Sequence, residues 1–355
     1  MNNLGILFVK ILKCVFVALV LVISLNNKAT AQISDNFVKS YSLNGMIYAL
    51  NSDGEILLIK DVKKTTEKIN LPNKVNDICF YKGNLTIYSA IGEKRNKVEI
   101  SELKNDNFVK TKELQIGDDF YISANCEEKN RIIITRHNLI FLKEHENKKI
   151  PIISIPERTF FSGIKTSNIT NGNLYLGANR GEWGGFLYEI NLKTGKFKSI
   201  SAIGGDLCEG DFNPGCDPVN SIITSPWNKK CVLFSIGLVH MLYSGQINEY
   251  CDGKLKKFFI TKPEFEDKNL SEWHKNSTMP FYEIFPQNRE IIALTPFGVF
   301  NIDKDANFKK EKFKDFSDYN GVRAYNLNKN YGVLMSGVNG QHALSGATPI
   351  LVRIY

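Results

Sequence analysis

Histidine is scarce in this chain of 355 residues, five in all, and two of them stand where a proton carrier or metal ligand would be useful. His137 sits in the short polar turn Arg136-His-Asn138, and His342 in Val338-Asn-Gly-Gln-His-Ala-Leu-Ser-Gly346. Imidazole titrates close to neutral pH, so either could act as a general base or hold a metal. The segment Asn179-Arg-Gly-Glu-Trp-Gly-Gly185 places Trp183 among glycines with Arg180 and Glu182 at its sides. An exposed indole offers a stacking platform for sugars or aromatic ligands and a face for cations. Asn179, Arg180, Glu182 and Arg136 are the polar candidates beside it, and Glu182 joins His137 and His342 as a candidate for acid–base work. A competing arrangement folds Trp183 back over its sheet and pairs Arg180 with Glu182. In the run from Gly204 to Pro218, Asp206, Glu209, Asp211, Asn213 and Asp217 gather oxygen side chains of the kind calcium takes, with Asp206, Asp211 and Asp217 as the candidate ligands. Their spacing is not that of an EF-hand, and the plainer reading is a solvated loop stapled by Cys208 and Cys216. The nucleophile elbow, the phosphate-binding glycine loops and the H-E-x-x-H zinc motif do not occur, so no catalytic motif organises these residues.

Composition bounds what can carry such loops. The chain is 43% hydrophobic and 23% charged, which excludes a disordered polymer, a collagen-like rod and a scaffold held by disulfides alone. Residues 1–31 read as a targeting segment. Lys10 and Lys13 precede an apolar run from Cys14 to Leu25, and Ala29-Thr-Ala31 forms an A-x-A cleavage site, which predicts a mature chain starting at Gln32. The run is short for a membrane span, and an uncleaved anchor is the alternative. Cys14 opens the run rather than following it, which argues against a lipid-modified cysteine. No second stretch of spanning length follows. The predicted product is therefore exported, periplasmic or extracellular, with no stable membrane span after cleavage. Loss of three lysines with the leader lowers the net charge from +8 to +5. That is too mild for a nucleic-acid footprint, and no basic stripe with interleaved aromatics occurs.

Six cysteines remain after Cys14: Cys79, Cys126, Cys208, Cys216, Cys231 and Cys251. An even count in an oxidising compartment permits disulfides. Cys208 and Cys216 are the pair favoured by spacing, in a loop rich in Gly, Asp and Pro. Cys231 and Cys251 fall within one repeat unit, and the connectivity of these two and of Cys79 and Cys126 stays open. A zinc site is disfavoured because neither C-x-x-C nor H-x-x-x-H spacing is present.

Residues 32–355 show no sustained helical period. Short β-branched and aromatic runs alternate with Asn, Asp, Gly and Lys turns, which is a strand-and-hairpin pattern. A phrase recurs: a strand, a Gly or Asn turn, then apolar-x-apolar-x-Asn/Asp. It appears as Met46-Ile-Tyr-Ala-Leu-Asn-Ser-Asp-Gly54, as Arg131-Ile-Ile-Ile134 with Leu139-Ile-Phe-Leu142, and as Asn173-Leu-Tyr-Leu-Gly177 with Gly185-Phe-Leu-Tyr-Glu-Ile-Asn191 and Thr194-Gly195. It returns at Cys231-Val-Leu-Phe-Ser-Ile-Gly237, at Glu290-Ile-Ile-Ala-Leu294 with Gly298-Val-Phe-Asn-Ile-Asp303, and at Gly332-Val-Leu-Met335. One further strand precedes each phrase, beginning near Val75, Phe120, Phe161, Val219, Phe281 and Gly321. Four short strands per unit, in units too small to cover both of their own faces, predict sheets stacked face to face around an axis.

On these phrases the chain resembles the β-propeller superfamily, in particular secreted bacterial propellers with NHL-like or regulator-type repeats. The Trp-Asp and di-Gly signatures of other propeller repeats are missing. The expected fold is all-β: a single propeller domain over 32–355 with seven four-stranded blades, closed by the orphan N-terminal strand Asn36–Leu43. Six blades with an appendage is the alternative. By this resemblance, loops between second and third strands share a face with the loops joining blades. That face would carry residues 179–185 and 204–218 together with Arg136, His137 and His342. The leading functional expectation is a module that binds a protein or glycan there without catalysis. The alternative is a hydrolase or lyase acting on a carbohydrate, using the histidines and carboxylates with a divalent cation. A third reading is a scaffold that only packs against other proteins.

Overall fold

The computed structural model describes residues 37–354 apart from 61–62, 64, 128–129, 144–146, 154, 156–160, 162, 201–216, 240–242, 264–276, 314–316, 320–321 and 337–349. The expected signal segment 1–31, the Cys208–Cys216 pair and His342 therefore lie outside the described residues, as do Asp206 and Asp211. All named elements but one are strands. The first set is β1 (Phe37–Leu43), β2 (Met46–Asn51), β3 (Ile56–Lys60) and β4 (Thr65–Ile69). The second is β5 (Asp77–Tyr81), β6 (Asn84–Ile91), β7 (Lys97–Lys104) and β8 (Asn107–Gln115). The third is β9 (Tyr121–Glu127), β10 (Asn130–Thr135), β11 (Asn138–Leu142) and β12 (Lys148–Pro151). Next come β13 (Ile164–Thr170), β14 (Asn173–Asn179), β15 (Gly185–Asn191) and β16 (Phe197–Ile200), then β17 (Val219–Thr224), β18 (Val232–Val239), β19 (Tyr243–Cys251) and β20 (Lys254–Phe259). The last two sets are β21 (Glu283–Gln287), β22 (Glu290–Thr295), β23 (Gly298–Ile302) and β24 (Phe308–Glu311), and β25 (Ser317–Tyr319), β26 (Val322–Asn328), β27 (Tyr331–Ser336) and β28 (Ile350–Ile354).

Five of these sets are separate antiparallel sheets. The first and last share one eight-stranded sheet, ordered β25-β26-β27-β28-β1-β2-β3-β4. Its seam is a parallel pairing of β28 with β1, at Ser40↔Val352, Tyr41↔Arg353 and Ser42↔Ile354. The N-terminal strand thus heads its own set and also meets the last strand. The last set has its own fourth strand in β25, too short at three residues to stand out in the sequence.

Local chemistry sets the hairpins. Asn44-Gly45, Lys82-Gly83, Asn171-Gly172 and Asp252-Gly253 all have positive φ at both turn residues, as a two-residue hairpin loop requires. The Asn or Asp that closes the repeated phrase caps the next turn. Asn191 Oδ1 accepts the backbone N–H groups of Lys193 and Thr194, and Asp303 Oδ1 those of Asp305 and Asn307.

The apolar runs are buried on both faces because each middle strand serves two interfaces. Ile132 and Ile134 pack with Leu174 and Leu176 of the fourth set, while Ile133 between them packs with Tyr88 and Val98 of the second. Ile291 and Ala293 pack against Leu233 and Phe281, while Ile292 and Leu294 pack against Val333 and Met335. Period-two alternation therefore fills successive inter-sheet layers. Fourth strands such as β8 and β24 are the exposed ones. The first strands β1, β5, β9, β13, β17 and β21, with β28, line a cavity of about 450 Å³.

Two disulfides join described cysteines. Cys79–Cys126 links β5 to β9 across neighbouring sheets beside the cavity, and Cys231–Cys251 links the strand ends of β18 and β19 within one sheet.

Candidate functional site

The Asn179–Gly185 loop joins the second and third strands of its sheet through a single 3-10 turn, Gly181–Trp183. The loop is tied to itself at every step. Gly181 N donates to Asn179 Oδ1 at 2.7 Å, Arg180 N to Gly184 O at 2.9 Å, and the Arg180 guanidinium to Trp183 O at 2.8 Å. It is also anchored to the next sheets. Asn179 Nδ2 donates to Asn220 Oδ1 at 2.5 Å, and Asn220 Nδ2 donates in turn to the carbonyls of Gly237 at 2.7 Å and Phe281 at 3.1 Å. The rigid turn holds Trp183 out in solvent, 72% exposed. The alternative in which the indole folds back over its sheet does not hold, and the Arg180 guanidinium bonds to the loop backbone. The Glu182 side chain lies outside the described residues.

Arg136 and His137 occupy the turn between β10 and β11. Asp119, which sequence reasoning passed over, organises that turn. Its carboxylate, 6% exposed, accepts the backbone N–H of His137 at 3.1 Å, the Asn138 amide at 2.8 Å, the Thr135 hydroxyl and the backbone N–H of Phe120 at 3.0 Å. It also meets His137 Nδ1 at 3.2 Å. Burial works against the charge, but these donors outweigh it and hold the Asp119 carboxyl below the ordinary carboxylate range. The His137 ring is otherwise open to solvent at 60%. Arg136 lies 5.8 Å over the ring of Phe120, itself partly exposed. Among the described residues, His137 bonds to Asp119 through its ring and backbone N–H and to Ile152 N through its carbonyl, and none of these bonds reaches the Trp183 loop.

Asp217 is buried rather than solvated, so the loop reading of its carboxylate changes at that end. Among the described residues no group of three or more His, Cys, Asp or Glu side chains stands close enough to hold a metal ion.

The cavity carries charges that the sequence reading did not single out. Lys39 Nζ pairs with Asp77 Oδ1 at 2.6 Å, and Asp77 Oδ2 accepts Ser123 Oγ and Ala124 N at 3.0 Å each. Burial disfavours the Lys39 ammonium, yet Asp77 more than compensates and holds its pKa above the ordinary value. Glu283 Oε2 accepts Leu351 N at 2.8 Å. Burial pushes the Glu283 carboxyl upward against the pull of Arg353. Lys165 faces the same space, and burial pulls its ammonium below the ordinary lysine value. A legible signal was the polar run Lys165-Thr-Ser-Asn168 in a first strand, which cannot line a dry core.

No protein-family model and no curated protein matches the chain. Its similarity is to solved structures. YCF48 from Cyanidioschyzon merolae superposes with a TM-score of 0.50 at 10% identity, over 84% of this chain and 92% of that one. A YCF48 bound to D1 peptide gives 0.44 at 12% identity, over 74% of each chain. The GH74 xyloglucanase from Xanthomonas campestris gives 0.45 at 12% identity, over 84% of this chain and 56% of that one. At such identities the likeness is one of fold. Four-stranded antiparallel sheets packed face to face and lining a central cavity with their first strands define that fold as a β-propeller.

Proposed function

We propose that this chain is an exported, seven-bladed propeller that binds a protein or glycan partner, without catalysis, through the face carrying residues 179–185 and 204–218. In this reading the seven four-stranded sets are the blades, and the pairing of β28 with β1 closes the ring. The two disulfides support an oxidising compartment and with it the cleaved leader. The observation that carries the binding reading is the presentation of Trp183. A large apolar ring held in water costs free energy, and the hydrogen bonds of its loop keep the ring there instead of letting it collapse. A rigid exposed aromatic with an adjacent guanidinium loses little entropy on binding and is typical of interface anchors. Arg136 above Phe120 offers a second contact of the same kind.

The test uses the mature chain, residues 32–355, immobilised and presented with glycan and peptide arrays, with hydrolysis of the same glycans followed in parallel. A binder found this way is expected to lose about 30-fold in affinity with Trp183→Ala, the loss of a typical anchor, with an unchanged melting temperature. Binding that survives Trp183→Ala unchanged would overturn the reading. Turnover of a glycan, lost in His137→Ala, would replace it with the enzymatic alternative.

A further inference from the structure

Lys165 is an odd residue to find on the inner strand of a blade. Ile164 pairs with Ala178 and Thr166 with Gly177, which leaves Lys165 as the extra residue of a β-bulge. A bulge releases one side chain from the ladder and re-aims it, and here the side chain lines the 450 Å³ cavity. It is partly exposed where it lines the cavity, and its ammonium forms no hydrogen bond or ion pair with any described residue. Buried ammonium groups are ordinarily paired, because leaving water without a partner is costly.

The neighbouring carboxylates are already engaged. Asp77 is held by Lys39, Ser123 and Ala124 N. Glu283 accepts Leu351 N and lies in the field of Arg353. Of the lysines lining the space, Lys39 is paired with Asp77, while Lys165 has the electrostatic attraction of Glu283 without a direct ion pair among the described residues. Hydroxyls and amides of Thr166, Ser167, Asn168 and Ser221 complete a polar wall. The volume falls within the range of small-molecule sites.

The geometry points to an anion site: the axial cavity binds a small ligand bearing a carboxylate or phosphate group, with the Lys165 ammonium as its anchor. The bound anion adds counter-charge to that of Glu283, and the hydroxyls of Thr166 and Ser167 take its remaining oxygens. This assignment does not rest on the Trp183 surface.

The experiment is isothermal titration of the mature chain with inorganic phosphate, acetate and citrate, at ionic strength held constant with sodium chloride. Saturable binding is expected for at least one of them, weakened tenfold or more in Lys165→Met, which keeps the aliphatic stem. The surface control Lys256→Met should bind as the parent does. Glu283→Gln, which removes a competing carboxylate, should bind at least as tightly. If Lys165→Met does not fold, Lys165→Arg should retain binding while Lys165→Gln loses it. Phosphate alone would assign a phosphoryl ligand, and acetate or citrate alone an organic acid. Heats that sodium chloride reproduces, or binding that persists without a cation at position 165, would overturn the proposal.

Discussion

Gly185 lies so close to Pro218 that a Cβ on the glycine would stand 2.9 Å from the proline Cα, and 2.1 Å from the carbonyl of Ala178. The same contact recurs one set later, where a Cβ on Gly245 would lie 2.5 Å from the Cα of Pro280. At both places the third strand starts or runs against the chain entering the next set, and only hydrogen fits between them. Gly185→Ala is therefore expected to destabilise the protein by about 1–3 kcal/mol, the usual cost of overpacking. Urea denaturation measures it. An unchanged midpoint would mean the two backbones separate freely.

Asn220 ties three segments through one amide group. Asn220→Ala removes the acceptor for Asn179 and the donor to two buried carbonyls. A loss of about 2 kcal/mol is expected, since buried groups left unpaired carry most of such costs. Amide hydrogen exchange should accelerate in residues 179–184 before anywhere else.

Asp119 makes acid stability depend on one carboxyl. Its native pKa lies below the ordinary value, so the unfolded chain binds protons more tightly than the native one. The stabilisation is present above the unfolded pKa and drains away as pH falls through the native one. Asp119→Asn should cost about 1.5–3 kcal/mol at pH 7, the range for bonds to a charged group. It should also flatten the decline in stability between neutral pH and the acid limb, which denaturation midpoints at two pH values would show.

The two disulfides close loops of 47 and 20 residues. The chain-entropy relation gives about 4 and about 3 kcal/mol for these lengths. Cys79→Ser with Cys126→Ser should therefore lower the melting temperature more than Cys231→Ser with Cys251→Ser. A reducing agent should erase the difference between the parent and the variant lacking both bridges.

Much of the fold was legible because one signal dominates it. Apolar residues on both faces, as in Ile132, Ile133 and Ile134, cannot belong to a sheet with a wet side, and the starts expected near Phe120 and Val219 fall within a residue of β9 and β17. The exposure of Trp183 was readable from its glycine neighbours. The rest was hidden for physical reasons. Asp119 works through bonds to a turn 16–19 residues away, and nothing in Gly-Asp-Asp-Phe marks which aspartate turns inward. Gly185 reads as an ordinary turn glycine until Pro218 is placed against it. Lys39, Lys165 and Glu283 look like solvated charges on a strand, and only the assembly of several sheets reveals that they share a cavity.

Val38, Ile122, Lys165 and Asn220 are each the second residue of a first strand, and each is the residue its ladder skips. Three of the four line the cavity. A skipped residue carries no cross-strand register, so its identity is decoupled from the pairing that builds the sheet. Val38 and Lys165 already place an apolar and a cationic side chain at equivalent points of the same framework, whereas Asn220 is committed to the bonds that tie three segments together. At positions such as 38 and 165 the interior of this molecule is in that sense an editable lining, whose chemistry can change one side chain at a time without renegotiating the fold.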